Sequence, residues 1–226
     1  MSNSTRPRKD FPASVILSIH IPKTAGTSFR RVLRLAFGRD LLLHYWALED
    51  ADGRAVTVIS DRIRCIHGHF VPDRFLLQFP EAALITWVRD PVERIASAYA
   101  HVLRSPDWRH PVHRAVHERK LSLLQFAGLD AMRNEMAHYL AGRPAAEFVF
   151  IGITERFDES LQRFFRRFGI LPVGAGPREN CNPNRTGDRY VTDPEVRRKL
   201  AALNARDMDL YADCLHVFAE RRSLVA

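Results

Sequence analysis

The chain has 226 residues, 46% apolar and 27% charged, a composition of one large globular domain and not of a disordered, collagen-like or disulfide-stapled chain. No apolar run approaches the roughly 18 residues a membrane span needs, and the polar start MSNSTRPRKDFP lacks the apolar stretch of a secretory signal. The 34 basic and 26 acidic residues leave a formal charge of +8, which favours a polyanion, an anionic metabolite or a membrane surface as partner.

Cys65, Cys181 and Cys214 are odd in number and form no CxxC pair, so a reduced, cytoplasmic setting is expected. Only Lys9, Lys23, Lys120 and Lys199 are lysines among the 34 basic residues. A lysine in a loop of this arginine-rich chain therefore draws notice.

Residues 1–13 read as a polar tail and 14–226 as one domain. Residues 14–21 are β-branched and apolar over a strand's length and run into the breakers of PKTAGT. From Ser28, apolar residues at Phe29, Val32, Leu33, Ala36 and Phe37 predict an amphipathic helix stopped by Gly38. Residues 62–70 predict a second strand with a polar tip, and residues 82–88 a third, apolar enough to be buried on both faces of a parallel sheet. After Arg89, the Asp90 N-cap, Pro91 and the capping-box Glu93 predict a helix with the stripe Val92, Ile95, Ala96, Tyr99 and Val102. Residues 148–153 predict a fourth strand, and residues 158–168 a helix stopped by Gly169. A last helix opens at Asp193 and Pro194, with Leu200, Leu203, Leu210 and Leu215 inward. Strands alternating with helices predict an α/β domain with a parallel central sheet flanked by helices, its ligands beyond the carboxyl ends of the strands. Residues 171–192 interrupt the rhythm as a long loop, and loops of that length usually carry function.

The segment Pro22, Lys23, Thr24, Ala25, Gly26, Thr27, Ser28 joins the first strand to the first helix. Free N–H groups at a helix start and the positive end of its dipole bind phosphate. Gly26 lets the backbone approach, Thr27 and Ser28 add hydroxyls, and Lys23 adds a cation within reach of a bridging oxygen. The nucleotide-triphosphatase pattern GxxxxGK[ST] is absent, since the lysine precedes the glycine. The alternative is a surface turn that caps a helix.

IHIPKTAGTSF resembles the phosphosulfate-binding loop of sulfotransferases, and WVRDPVERIASAYAH resembles their second signature, an Arg and a Ser eight residues apart. The similarity continues through HGHF, GITERFDESL and the NRT-containing loop, and is strongest to the carbohydrate sulfotransferase branch that includes heparan sulfate 2-O-sulfotransferase. It implies a P-loop-like fold and 3′-phosphoadenosine 5′-phosphosulfate (PAPS) as sulfuryl donor, with no metal. It also implies that Lys23 contacts the oxygen bridging phosphate and sulfate, that residues 22–28 hold the 5′-phosphate, and that Arg89 with Ser97 grips the 3′-phosphate. From the residues alone, Arg89 leaves the strand end beside a helix N-terminus and Ser97 lies two turns in, on the same side as Arg94, so one phosphate across that turn could meet Arg89 and Ser97; ion pairing of Arg89 with Asp90 or Glu93 is the competing reading.

Sulfuryl transfer to a hydroxyl needs a proton acceptor facing a cation across the sulfur. His67 and His69 flank Gly68 at a strand tip, so their rings share one face, and Gly68 leaves room for substrate. The resemblance assigns the base role to the second histidine, His69, with His67 orienting it or the acceptor. Glu155 is the next candidate base. His110, His113 and His117 suit a solvated basic helix better than a metal site, because HExxH is not matched. In the long loop, Arg185 is a candidate contact to the 3′-phosphate or adenosine. The expected acceptor is a hydroxyl, of a glycan or glycoconjugate, with no nucleic-acid or integral-membrane partner, in a cytoplasmic bacterial protein. Two other readings stay open: a small-molecule kinase with a degenerate phosphate loop, and a basic polyanion-binding module without catalysis.

Overall fold

The computed structural model describes residues 14–45, 48–50, 53–172 and 189–223. Strand β1 (Ile16–Ile19) leads through residues 20–25 into α1 (Gly26–Phe37). The chain returns as β2 (Leu41–His44), and β3 (Leu48–Asp50) folds back against it. β4 (Cys65–Gly68), the single turn α2 (Asp73–Leu76), β5 (Ala83–Val88) and α3 (Pro91–Arg104) follow. Three short helices, α4 (Pro111–Glu118), α5 (Leu123–Ala127) and α6 (Glu135–Tyr139), precede β6 (Phe150–Ile153) and α7 (Phe157–Phe168). Helices α8 (Pro194–Leu203) and α9 (Ala205–Ser223) close the described chain.

The six strands form one sheet in the order β3-β2-β4-β1-β5-β6. β3 runs antiparallel to β2, and every other pairing is parallel. This is the expected α/β architecture, and it is built on strand alternation. Ile16, Leu41, Leu43, Cys65, Ile85 and Trp87 turn to one face, where α1 and α7 cover them through Phe29, Val32, Leu33, Leu161, Phe164 and Phe165. Leu17, Ile19, Leu42, Ile66, Leu84 and Val88 turn to the other, against Met136, Cys214 and Phe218. A third cluster packs α3, α4, α5 and α8 through Ile95, Val116, Phe126 and Leu200. Phe164 touches the rings of both Phe29 and Phe150 and has no exposed surface, a position where truncation to alanine typically costs about 3–5 kcal/mol.

Local signals place most helix ends. Asp90 accepts from the amides of Val92 (2.8 Å) and Glu93 (3.0 Å) ahead of Pro91, and Gly169 closes α7 in the left-handed region at φ 61°. Three expectations change. The Glu93 carboxylate does not close a capping box: it accepts from the Tyr190 amide (2.7 Å) and Arg197 (2.8 Å), while the Asp90 amide donates to Glu155 (3.0 Å). The last helix is two helices, broken at Asn204, whose buried side chain accepts from the Asn134 amide (3.1 Å) and donates to the Leu200 carbonyl (3.0 Å). Strands β2 and β3 and helices α5 and α6 add to what the hydropathy pattern predicts. Among the described residues no helix is long and apolar enough to cross a membrane.

Candidate active site

The parallel register brings three strand tips level. Ser18 and Leu43 both lie opposite His67, and Ile19 and His44 both lie opposite Gly68. One residue further on, the ladder continues: the His20 amide donates to the Gly68 carbonyl and the His69 amide to the His44 carbonyl, each at 2.8 Å. His20, Tyr45 and His69 therefore stand side by side beyond the carboxyl ends of β1, β2 and β4.

Their rings are in contact. His20 stacks on His67 (5.2 Å between centroids, 12° between planes) and meets His69 at 4.6 Å, while Tyr45 meets His69 at 4.7 Å. The buried Ser18 hydroxyl bonds His67 Nδ1 at 2.9 Å, and the Tyr45 hydroxyl bonds His20 Nδ1 at 3.0 Å. Arg30 lies over the Tyr45 ring at 5.4 Å, and Tyr139 closes the far side of His69 at 5.9 Å. The Nε2 atoms of His67 and His69 are both buried and have no hydrogen-bond partner among the described residues. Burial, then His69 and Arg30, holds His67 down to about 3. Burial, then Arg30 and His44, holds His69 at about 4. Both imidazoles are therefore neutral at physiological pH, the state in which a ring nitrogen can accept a proton.

Above this cluster lies the loop of residues 22–25. Lys23 (φ 70°) and Ala25 (φ 67°) occupy the left-handed region without being glycine, strain of about 1–3 kcal/mol each of the kind that collects at functional sites. The Thr24 hydroxyl, expected to face a ligand, is fully buried and donates to the Ile21 carbonyl at 2.8 Å, so it braces the loop. Ala25 provides no side-chain cap for α1 and no acid stands in the first turn, so its positive end is not offset from within the helix. Ser28 is buried in that turn and Thr27 is half-buried.

Cations gather at the same point. Arg89, just past β5, donates to the Lys23 carbonyl at 3.2 Å and lies over the Tyr190 ring at 5.6 Å. Burial, then Arg104, then Arg89, pulls the Lys23 ammonium from 10.5 to about 8. The acids nearest in sequence are engaged by α8: Arg197 bridges Asp90 (3.0 Å) and Glu93 (2.8 Å). Lys23, Arg89 and Arg104 thus bring positive charge together beside the α1 N-terminus, a field that favours an anion. Ser97 is buried two turns into α3.

Several expected roles move. Arg94, placed by periodicity on the polar side of the helix, has its guanidinium fully buried, paired with Glu135 and bonded to the Met132 carbonyl at 3.3 Å. Gly68 leaves room for backbone, since a Cβ there would come within 1.8 Å of the His44 carbonyl oxygen. Gly26 leaves room for the His20 ring, whose Nε2 would lie 1.8 Å from a Cβ. Glu155 accepts from the Asp90 amide and from the Tyr211 hydroxyl (3.0 Å), a bracing role. His113 Nδ1 accepts from the Asp107 amide (2.9 Å) and His117 Nε2 bonds the Val102 carbonyl (3.0 Å), so both rings serve the α3–α4 packing. Among the described residues no group of three or more His, Cys, Asp or Glu could hold a metal. Arg185 lies outside the described residues. His20, Arg30 and Tyr45 join the site from outside the sequence reading. Of these only His20 had a local signal, because it follows Ser18 at strand period on the face that His67 and His69 share.

The sequence model of the sulfotransferase family matches residues 10–212. No curated protein matches the chain. Among solved structures, a sulfotransferase from Alicyclobacillus acidocaldarius aligns over 85% of this chain and 92% of its own, with 17% identity and a TM-score of 0.43. A mouse sulfotransferase complexed with PAP aligns over 94% of this chain and 90% of its own, with 15% identity and a TM-score of 0.49.

Proposed function

The chain belongs to the sulfotransferase family, and from that premise we propose that it moves a sulfuryl group from PAPS to a hydroxyl of a carbohydrate acceptor, with His69 as general base. The observation that carries the reading is the meeting, at one end of the sheet, of a group of cations and a neutral imidazole. Lys23 and Arg89 converge beside the α1 N-terminus, and His69 stands at the tip of the second strand over from β5.

The nucleotide carries two phosphate ends, and the loops after β1 and β5 offer cations for both. Residues 22–28 would take the 5′-phosphate, with Lys23 at the bridging oxygen. Arg89 and Ser97 would take the 3′-phosphate. The donor supplies an electrophilic sulfur whose leaving phosphate gains charge as the bond breaks, and Lys23 is the group placed to offset it. His69 would take the acceptor's hydroxyl proton on Nε2, which has no hydrogen-bond partner among the described residues. His67 is the poorer candidate, being 1% exposed and tied to Ser18. The carbohydrate branch of the family supports a glycan acceptor through the HGHF and GITERF wording. The same features speak against a kinase, whose triphosphate and magnesium need the motif this loop lacks.

The test is a calorimetric comparison of adenosine 3′,5′-bisphosphate with AMP and magnesium ATP, joined to turnover with PAPS. The bisphosphate should bind best, and Arg89→Ala should weaken it by about 2–4 kcal/mol, as loss of a desolvated charge partner does. His69→Ala should lower turnover about 100- to 10,000-fold with donor affinity near wild type. Equal affinity for AMP and the bisphosphate would refute the donor assignment. Full turnover in the His69 variant would refute the base.

A further inference from the structure

We propose that His20 is a positioning residue, a wedge that locks the phosphate loop to the imidazole pair and fixes the orientation of the His69 ring. Four contacts hold the wedge. Its amide is tied to the Gly68 carbonyl, next to His69, at 2.8 Å. Its Nδ1 bonds the Tyr45 hydroxyl at 3.0 Å. Its ring lies flat on His67 and against His69. Its Nε2 edge fills the space that a side chain on Gly26 would need.

The last contact makes the fit reciprocal. Gly26 opens α1, and its backbone is not in the left-handed region, so conformation does not demand glycine there. The demand comes from the His20 ring. The loop that would hold the donor and the strand tip that would hold the base thus meet through one side chain, and a shift of either moves the other.

His69 is faced by Arg30 from α1, His44 and Tyr45 from β2 and its tip, His20 from β1, His67 from its own strand and Tyr139 from α6. Burial is the largest influence on its proton affinity. Removing the His20 ring opens that side to water, so His69 should become easier to protonate. Loss of the wedge also loosens the ring, and a displacement of an ångström in a reacting group costs about 100-fold in rate.

The catalytic part of this inference rests on His69 as base; the structural part does not. The experiment therefore reads His69 directly, by NMR titration of its imidazole in wild type, His20→Ala and Tyr45→Phe, beside the pH profile of turnover. The expected result is a midpoint near about 4 in wild type that rises by about one unit or more in His20→Ala and by less in Tyr45→Phe. Tyr45→Phe keeps the ring and loses only the clamp, so it carries the test if His20→Ala does not fold.

A second arm uses the reciprocal fit. Gly26→Ala should weaken adenosine 3′,5′-bisphosphate binding at least about tenfold, and Gly26→Ala with His20→Ala should recover part of that loss, because the new methyl enters the vacated space. A His69 midpoint that does not move in either variant, or a double variant that binds no better than Gly26→Ala, would overturn the wedge. A midpoint that moves while the acid limb of turnover stays still would keep the wedge and remove His69 as base.

Discussion

Raising the pH through about 8 should strip the protein of affinity for adenosine 3′,5′-bisphosphate, with Lys23 setting the midpoint. Burial, Arg104 and Arg89 make the free ammonium hold its proton less tightly than the ordinary 10.5. An anion bound among those cations favours the charged form and reverses the shift. The sign follows from linkage: the complex holds the Lys23 proton more tightly than the free protein does, so affinity is full below about 8 and falls as pH rises above it. If the nucleotide restores the ordinary 10.5, the difference of 2.5 between 10.5 and 8 corresponds to about 300-fold in affinity. Lys23 is part-exposed, and solvent screening brings the expected loss to about 10- to 100-fold between about pH 7 and about pH 10. Titration calorimetry across that range would measure it, with Lys23→Met as the control that binds more weakly and with a flat profile. A wild-type profile as flat as the variant's, or the same decline in both, would refute the reasoning. In the ligand-free protein the sign is opposite. The unfolded chain keeps this proton to 10.5 and the folded one only to about 8, so Lys23 makes stability rise with pH between those values.

Arg94→Met should destabilise the fold by about 3–5 kcal/mol in chemical denaturation, because it leaves the Glu135 carboxylate buried without its partner, while bisphosphate affinity in the folded fraction stays near wild type. A variant of normal stability that fails to bind the nucleotide would place Arg94 in the phosphate site instead. Gly68→Ala should force β2 away from β4, since its Cβ would fall 1.8 Å from the His44 carbonyl oxygen. That shift takes Tyr45 out of line with His20 and His69, and turnover should drop by about 100-fold or more. Normal turnover in a folded Gly68→Ala protein would show that the level alignment of the three tips is not needed.

The strand–loop–helix unit of β1 and α1, the Asp90–Pro91 start of α3, the Gly38 and Gly169 stops and the parallel α/β class were all legible in the sequence. Each depends on residues within a few positions of one another, where backbone sterics, capping and side-chain periodicity act without help from the rest of the chain. The short loop of residues 22–28 and the position of the His67–Gly68–His69 pair at a strand tip were legible for the same reason. What lay between distant segments was not. Arg94 reads as a helix-surface cation until α6 delivers Glu135 to it. Glu93 reads as a capping residue until Arg197 arrives from α8. Gly26 and Gly68 read as gaps for a ligand, and they are gaps for the His20 ring and the β2 backbone. β2 and β3 are too short to show a period, so no local pattern announced that Tyr45 would stand beside His69. Strand register is a pairing between residues tens of positions apart, settled by which faces the whole sheet can bury at once. That pairing, and not the motif, set His20, Tyr45 and His69 in one row.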